Sequence, residues 1–522
     1  MASSSARNQS LRLTAMLAGV AMLSACGLGS PEGEGTEGNE GNGGPTQTNI
    51  TIDLPNYPST LDPGLQYDGA TYPVYRNIYD QLLRRDSDTL EPVPWIAESW
   101  EQESPTTWRF TLRDDVTFSD GSPLTAKDAA FSLNRILDKA LNSPQFANFS
   151  AVATATADSD TELVIETEDP SATLLTYLTT LSIVSEEYVD EVGNDGLNEK
   201  PMGSGAYVLE SLRSGSEVKL KRNADYWGEA PEIEEAVFRA VPNVSTRVAD
   251  LRSGQADLVM NLAADQAAEL EGQDGMQVLA VPTERVDYLA LNTLADTPTK
   301  DLRVRQAIAA AINYDSLIEN LGGGFADPVG AVLTPLSFGY PDDAANYEYD
   351  PERARELLAE AGVTNPVLEF PASPAYDPQL LQAIQSDLQA VGFTVNITNT
   401  DHATFLQKVQ DPSHNWGSIR FGRWSCSCLD ADGVIYPLFR TGTVWSSYSN
   451  PEFDAAVDRG RTTTEEAERL EAYDSAFAML NEDLPGIGLF QEYAIYGATA
   501  GLQWQPDAVE SVYLDQMSFE GS

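Results

Sequence analysis

Two histidines, three cysteines and eighty carboxylates make up the chain's stock of reactive side chains. His402 and His414 both stand in polar surroundings, so they read as solvated loop or edge residues and not as a triad base or a zinc pair. No Gly-x-Ser-x-Gly elbow, no His-Glu-x-x-His helix and no phosphate loop ending in Gly-Lys-Ser/Thr occurs. Carboxylates are so abundant that a pair of them carries no information about glycosidase chemistry. Asp430-Ala431-Asp432-Gly433 hints at a calcium loop, but the further ligand spacing and the late Glu are missing, so it reads as a turn. Cys426 and Cys428 are separated by one residue. A bridge between them closes a tight ring, and two free, partly buried thiols are the expected state. The residues therefore imply no catalytic group, no metal and no cofactor.

The elements that hold these residues are well marked. Ala236 to Val241, Val244 to Arg252 and Ala256 to Met260 read as strand, helix and strand, with Asn243 or Ser245 as the cap. A second such unit runs from Val367-Leu-Glu-Phe370 through the helix Gln379 to Val391 to the strand Phe393 to Ile397. Leu381, Ile384, Leu388 and Val391 recur there at three and four, one buried stripe, and Gly392 suits the left-handed residue after a helix end. Each unit implies parallel strands joined by a helix. Asp350-Pro351, Asp301 and Thr125 each open a further helix. Trp108, Phe110 and Leu112 alternate with Arg109, Thr111 and Arg113 as a half-buried strand, and Asp120-Gly121 makes a turn. Tyr226-Trp227-Gly228 reads as a packed aromatic corner. The two units suggest a fold of class α/β with two lobes.

The N-terminus carries a separate message. Arg7 and Arg12 precede an apolar and small-residue run, Leu13 to Ala25, too short to span a bilayer. It ends in Leu23-Ser24-Ala25-Cys26, which resembles a bacterial lipobox and implies diacylation of Cys26. Residues 27–48 are rich in Gly, Glu, Asn, Pro and Thr and read as a flexible leash. Acyl chains contribute roughly 0.8 kcal/mol per buried methylene, enough with two or three chains to hold a protein on the outer face of a membrane. The formal charge is −49, and loss of the basic leader leaves −51. That field disfavours nucleic acid and anionic lipid as partners. It is compatible with a solvated acidic surface or with adaptation to high salt.

Leu90 to Ile136 resembles the signature region of the peptide/nickel/oligosaccharide-type solute-binding proteins of ABC transporters, the dipeptide- and oligopeptide-binding protein family. The matching elements are Ala97-Glu-Ser-Trp100, Trp108 to Arg113, Phe118-Ser-Asp-Gly121 and Leu124 to Asp128. Gly203-Ser-Gly-Ala-Tyr207, Arg222-Asn223, Tyr226-Trp-Gly228, Asp301 to Ile308 and Tyr448 to Asp454 follow in the family's order. Ala206 stands where the family usually has proline.

The resemblance implies a two-lobed periplasmic-binding-protein fold of the enlarged second type. Lobe one would comprise 49–285 and 489–522, with an inserted subdomain over about 79–200, and lobe two 286–488, joined by crossings near Arg285–Leu291 and Gly488–Tyr496. It implies no enzyme but a monomeric receptor that captures a small ligand (a peptide, modified peptide or oligosaccharide) and delivers it to ABC permease subunits. Ligand-facing residues would be Tyr67, Asp68 and Thr71 in lobe one and Arg423, Trp424, Ser425, Cys426 and Ser427 in lobe two. In peptide-binding members an aspartate follows the equivalent of Trp424 and pairs with the ligand's α-amino group. Ser427 stands at or near that position, so a free-amino peptide is disfavoured, while Arg423 is free to meet a ligand anion or to pair with a nearby acid. The competing classes are a secreted hydrolase with an unrecognised site and a surface scaffold or adhesin.

Overall fold

The computed structural model describes residues 47–66, 69 and 72–520. Cys26, the leader, the leash up to residue 46, and Tyr67, Asp68 and Thr71 lie outside the described residues.

A mixed sheet runs in the order Ile419–Trp424, Met276–Leu291, Gly486–Thr499, Leu258–Val259, Asn49–Leu54, Glu235–Ala240, Glu217–Arg222, Tyr207–Arg213. Ala326–Pro328 pairs additionally on Gly486–Thr499. The first strand–helix–strand unit is present as read. Glu235–Ala240 and Leu258–Val259 flank Asn49–Leu54, parallel to it on both sides. The intervening helix Val244–Ser253 is capped by Asn243, whose side chain accepts from the Thr246 N–H, and ends on Gly254 at φ 72°. The second unit pairs Val367–Ala372 with Thr394–Asn399 in parallel, across the helix Pro378–Ala390. Leu381, Ile384, Leu388 and Val391 are all buried there.

Two main cores result. Ile52, Tyr207, Leu220, Phe238, Leu258 and Tyr496 fill one. Ile308, Leu368, Phe370, Leu388, Ile419, Ile487 and Leu489 fill the other. Beside the first lies an insertion built on the sheet Ala97–Ser104, Thr107–Leu112, Glu162–Thr167, Val152–Ala157 and the helix Ala126–Leu137. Beside the second lies a helical cluster around Ile435, Phe453, Tyr473 and Phe477.

The strands Met276–Leu291 and Gly486–Thr499 run through both cores. Their ladder holds from Met276↔Thr499 to Pro282↔Tyr493, breaks, and resumes at Val286↔Gln491. Pro282 has no N–H to give the ladder. Side chains tie the gap instead. Thr283 Oγ1 donates to the Glu492 carbonyl at 2.8 Å, and Gln491 Nε2 donates to the Thr283 carbonyl at 2.7 Å.

The motif residues are mostly framework. The buried Asp80 carboxylate accepts from Trp95 Nε1 at 2.8 Å, Trp227 Nε1 at 2.9 Å and Ser204 Oγ at 2.9 Å. One acid thus ties the Gly203–Tyr207 turn, the aromatic corner and the edge of the insertion. Arg84, 3.9 Å from Asp80, stacks over Trp95 and pairs with Asp515 at 2.9 Å, adding the C-terminal tail. Gly203 and Gly205 let that turn press on the Asn77–Ile78 backbone. A Cβ at Gly205 would lie 2.6 Å from the Asn77 carbonyl oxygen. Gly205→Ala is therefore expected to cost about 1–3 kcal/mol in urea unfolding, whereas Gly501→Ala, which meets nothing within 4 Å, stays within about 0.5 kcal/mol.

Candidate functional site

Ile419–Trp424 is the edge strand of the sheet and pairs with Met276–Leu291 from Ile419↔Leu291 to Trp424↔Val286. It delivers the chain into the segment Ser425 to Cys428, which meets the insertion. Arg85 Nη2 donates to the Ser427 carbonyl at 2.7 Å, and its other nitrogen to the Leu90 carbonyl at 2.8 Å. Burial lowers Arg85 to about 10, against the pull of Asp507 and Glu284. Tyr177 OH lies 3.4 Å from Cys426 Sγ across the same junction.

Three cavities lie along this junction. The middle one, about 180 Å³, is walled on one side by Ser425 and Ser427 and on the other by Arg76, Arg85, Thr179, Glu284, Glu510 and Ser511. A cavity of about 330 Å³ separates Asp169, Thr173 and Tyr177 from Asp432, Tyr436 and Arg461. One of about 470 Å³ separates Trp108 and Thr176 from Phe338, Cys428 and Arg469. A fourth, of about 550 Å³, is lined by Arg285, Asp287, Arg423, Phe490 and Glu492.

The residues expected at a ligand are divided by this geometry. Ser425 and Ser427 line the middle cavity. Arg423 lines the fourth one, where its Nε donates to Asp287 at 3.0 Å and its Nη2 to Glu492. Of its two sequence readings, the ion pair with nearby acids is thus the one observed. Burial raises the Asp287 carboxyl, as does Glu492, against the adjoining Arg423. Trp424 is half-buried, donates Nε1 to the Gly433 carbonyl at 2.8 Å and packs edge-on against Trp445.

One expectation is corrected. Cys426 and Cys428 are bridged, not free. The chain turns sharply after the strand, which brings their Cα atoms to 5.0 Å, within the ordinary range for a disulfide. A Cβ at Gly433 would collide with both sulfurs, so glycine there makes the room. Asp430 to Gly433 is a turn as read, closed by the Gly433 N–H on the Asp430 carbonyl at 3.1 Å, and it leads into the helix Asp432–Phe439. Asp430 Oδ1 accepts the Asp432 N–H at 2.9 Å, while its carboxylate also accepts from Arg469 at 2.6 Å and Tyr473 at 3.2 Å. Among the described residues no group of three or more His, Cys, Asp and Glu is placed to hold a metal ion. His402 sits exposed in the first turn of its helix, His414 in a turn at φ 55°.

Asp432 supplies a pH signature. Burial raises its carboxyl to about 6, opposed by Arg461 at 3.7 Å and reinforced by Asp430. The neutral form is favoured in the folded chain. Its contribution to stability is therefore full below the unfolded value of 3.8 and is lost as pH rises through about 6. Asp432→Asn keeps the neutral group at every pH. Its stability relative to the parent should rise by about 2 kcal/mol between pH 4.5 and 7.5 in urea unfolding. A difference flat in pH would contradict this.

Sequence reasoning missed Arg85, Thr179, Glu284 and the tail residues 507–513. Arg84-Arg85 as a basic doublet in so acidic a chain, and Glu284-Arg285 beside the expected crossing, were the available signals.

Residues 91–446 match the family described as bacterial extracellular solute-binding proteins, family 5. The chain is 29% identical over 464 residues to the probable ABC transporter periplasmic-binding protein SapA of Escherichia coli K12, covering 82% of this chain and 83% of that protein. It is 26% identical over 468 residues to the dipeptide-binding protein of the same organism, covering 82% and 86%. Its fold superposes on the ABC transporter-associated periplasmic binding protein DppA of Helicobacter pylori, solved with the peptide STSA. The TM-score there is 0.75 at 25% identity, over 90% of this chain and 98% of that one.

Proposed function

This chain belongs to the bacterial extracellular solute-binding proteins of family 5, and we propose that it is the receptor of an ABC importer, holding a peptide, peptide-like or oligosaccharide ligand between its lobes and presenting it to the permease. The observation that carries the reading is the middle cavity, whose two walls meet through Arg85 and Ser427 and are assigned in this reading to different lobes. A solute placed there touches both lobes at once, so it favours the closed arrangement over the open one. A dipeptide-binding relative and a structural neighbour holding STSA support a peptide as the first class to test.

The hinge in this reading is the ladder break at Pro282–Val286 and the facing stretch of Gly486–Thr499. It divides lobe one, 49–285 plus 489–522 with the insertion 79–200, from lobe two, 286–488. Ser425, Cys426 and Ser427 face the ligand from lobe two, with Trp424 fixing their segment; Tyr67, Asp68 and Thr71 keep their sequence-based assignment as ligand-facing residues of lobe one. Arg423 orders the sheet edge through Asp287 and Glu492. Cys26, diacylated, anchors a monomer to the outer face of the cell membrane through the leash. The family's members are solute-binding proteins, and no catalytic step enters this reading.

Native mass spectrometry of the chain, before and after mild denaturation, tests the proposal. A single small species released in stoichiometric amount supports a receptor and identifies its ligand class. A chain that turns over candidate peptides instead of retaining them supports a hydrolase.

A further inference from the structure

Glu284 is a carboxylate of the middle cavity with one oxygen, Oε2, left without a hydrogen-bond partner. It stands in the ladder break after Pro282, where the strand pair opens. Its Oε2 is shielded from solvent and accepts no hydrogen bond, and no ion pair forms at Glu284 among the described residues. Arg285 and the other acids of the cavity are already engaged. Arg285 turns to Glu510, with Nη1 at 2.8 Å, and to Glu492 at 3.3 Å. Asp507 accepts the N–H groups of Val509 and Ser511, at 3.1 and 2.7 Å. Arg85 donates to the Ser427 and Leu90 carbonyls and to Thr179 Oγ1, and Arg76 stacks over Tyr72 and donates to Ser511 while its Nε has no hydrogen-bond partner. Ser425 and Ser427 on the facing wall are neutral.

A buried carboxylate without a partner is unfavourable unless a cation or hydrogen-bond donors reach it. Burial raises Glu284 to about 7, with Glu510 and Asp507 adding to it against Arg285. That is the state of an acid that lacks its counter-charge.

We propose that Glu284 selects the ligand of this cavity, its carboxylate receiving a cationic nitrogen of the bound solute, an ammonium or a guanidinium. This rests on the reading of the cavity as the solute site. It restores room for a free amino group, which the neutral Ser427 by itself disfavours, and puts the acceptor on the hinge strand instead of the Ser425–Cys428 segment.

The test uses thermal melting of the full chain with an equimolar set of di- to tetrapeptides of Ala, Leu, Ser and Phe, with free or N-acetylated N-termini. The free set is expected to raise the melting temperature, and acetylation to remove most of that rise. In Glu284→Gln, near-isosteric and neutral, the free and acetylated sets should act alike, with affinity for the free set down roughly tenfold or more. Equal stabilisation of the parent by both sets, or a preference that survives in Glu284→Gln, overturns the assignment while leaving a peptide receptor standing. The parent's own preference is read independently of whether the variant folds. No response to either set counts against the peptide reading and removes the inference with it.

Discussion

Asp80→Ala is expected to destabilise the chain by about 3–5 kcal/mol, the largest single loss foreseen here. Asp80 is 1% exposed and its two oxygens serve two indoles and a hydroxyl. Removing the carboxylate strands all three donors away from water and leaves Arg84 with only Asp515 as its acid partner. Each stranded donor carries a desolvation cost of about 1–3 kcal/mol. Asp88→Ala makes the same charge change at an exposed position and should stay within about 0.5 kcal/mol. Urea unfolding of the two variants checks it. Equal, small losses would mean that the Gly203–Tyr207 turn and the aromatic corner hold together without Asp80.

Arg85→Met is expected to weaken ligand binding by about 10–100-fold while changing the unliganded chain's stability by less than about 1 kcal/mol. The guanidinium joins the two walls of the middle cavity through the Ser427 carbonyl, and on the proposed lobe division this bond to a charged donor exists when the walls are together. Methionine keeps the apolar stem and removes the charge, which burial already disfavours at this position. The loss therefore falls on the closed, occupied state. Arg85→Lys should not restore affinity, since a single ammonium cannot reach Ser427 and Leu90 with the fork that reaches both. Titration with the free-amino peptide set gives the affinity, and urea unfolding the stability. A large stability loss with unchanged affinity would make Arg85 a structural tie.

What the sequence made legible follows from the range of the interactions. The helix starts at Asn243, Asp301, Asp350 and Thr125 are written in residues within three positions of each cap, and all four are observed. The stripe from Leu381 to Val391 and the alternation around Phe110 are equally local; the stripe is buried as read, and so are Phe110 and Leu112, while Trp108 is half-buried. The family resemblance was legible because its motifs hold the framework. Ser204 and Trp227 converge on Asp80 and Gly205 packs on the nearby Asn77–Ile78 backbone, although Asp80 itself lies in no quoted motif and its partners are up to 147 positions away.

The site was less legible for the same reason. Its walls come from residues 76–85, 179–180, 284, 425–427 and 509–513, several of them in turns without periodicity. Arg423 and Ser427 stand four residues apart in sequence, yet one pairs with Asp287 and the other meets Arg85. The turn that brings Cys426 to Cys428 depends on Gly433, five residues further on and on the far side of the loop.

Hydrogen–deuterium exchange of the full chain with and without the free-amino peptide set tests the central claim most directly. If the solute sits between the lobes, ligand slows exchange on both walls of the middle cavity, at Thr179–Thr180 and Val509–Tyr513 on one side and at Ser425–Cys428 on the other. Protection confined to one wall, or centred on the cavity of Asp287, Arg423 and Phe490, would contradict it.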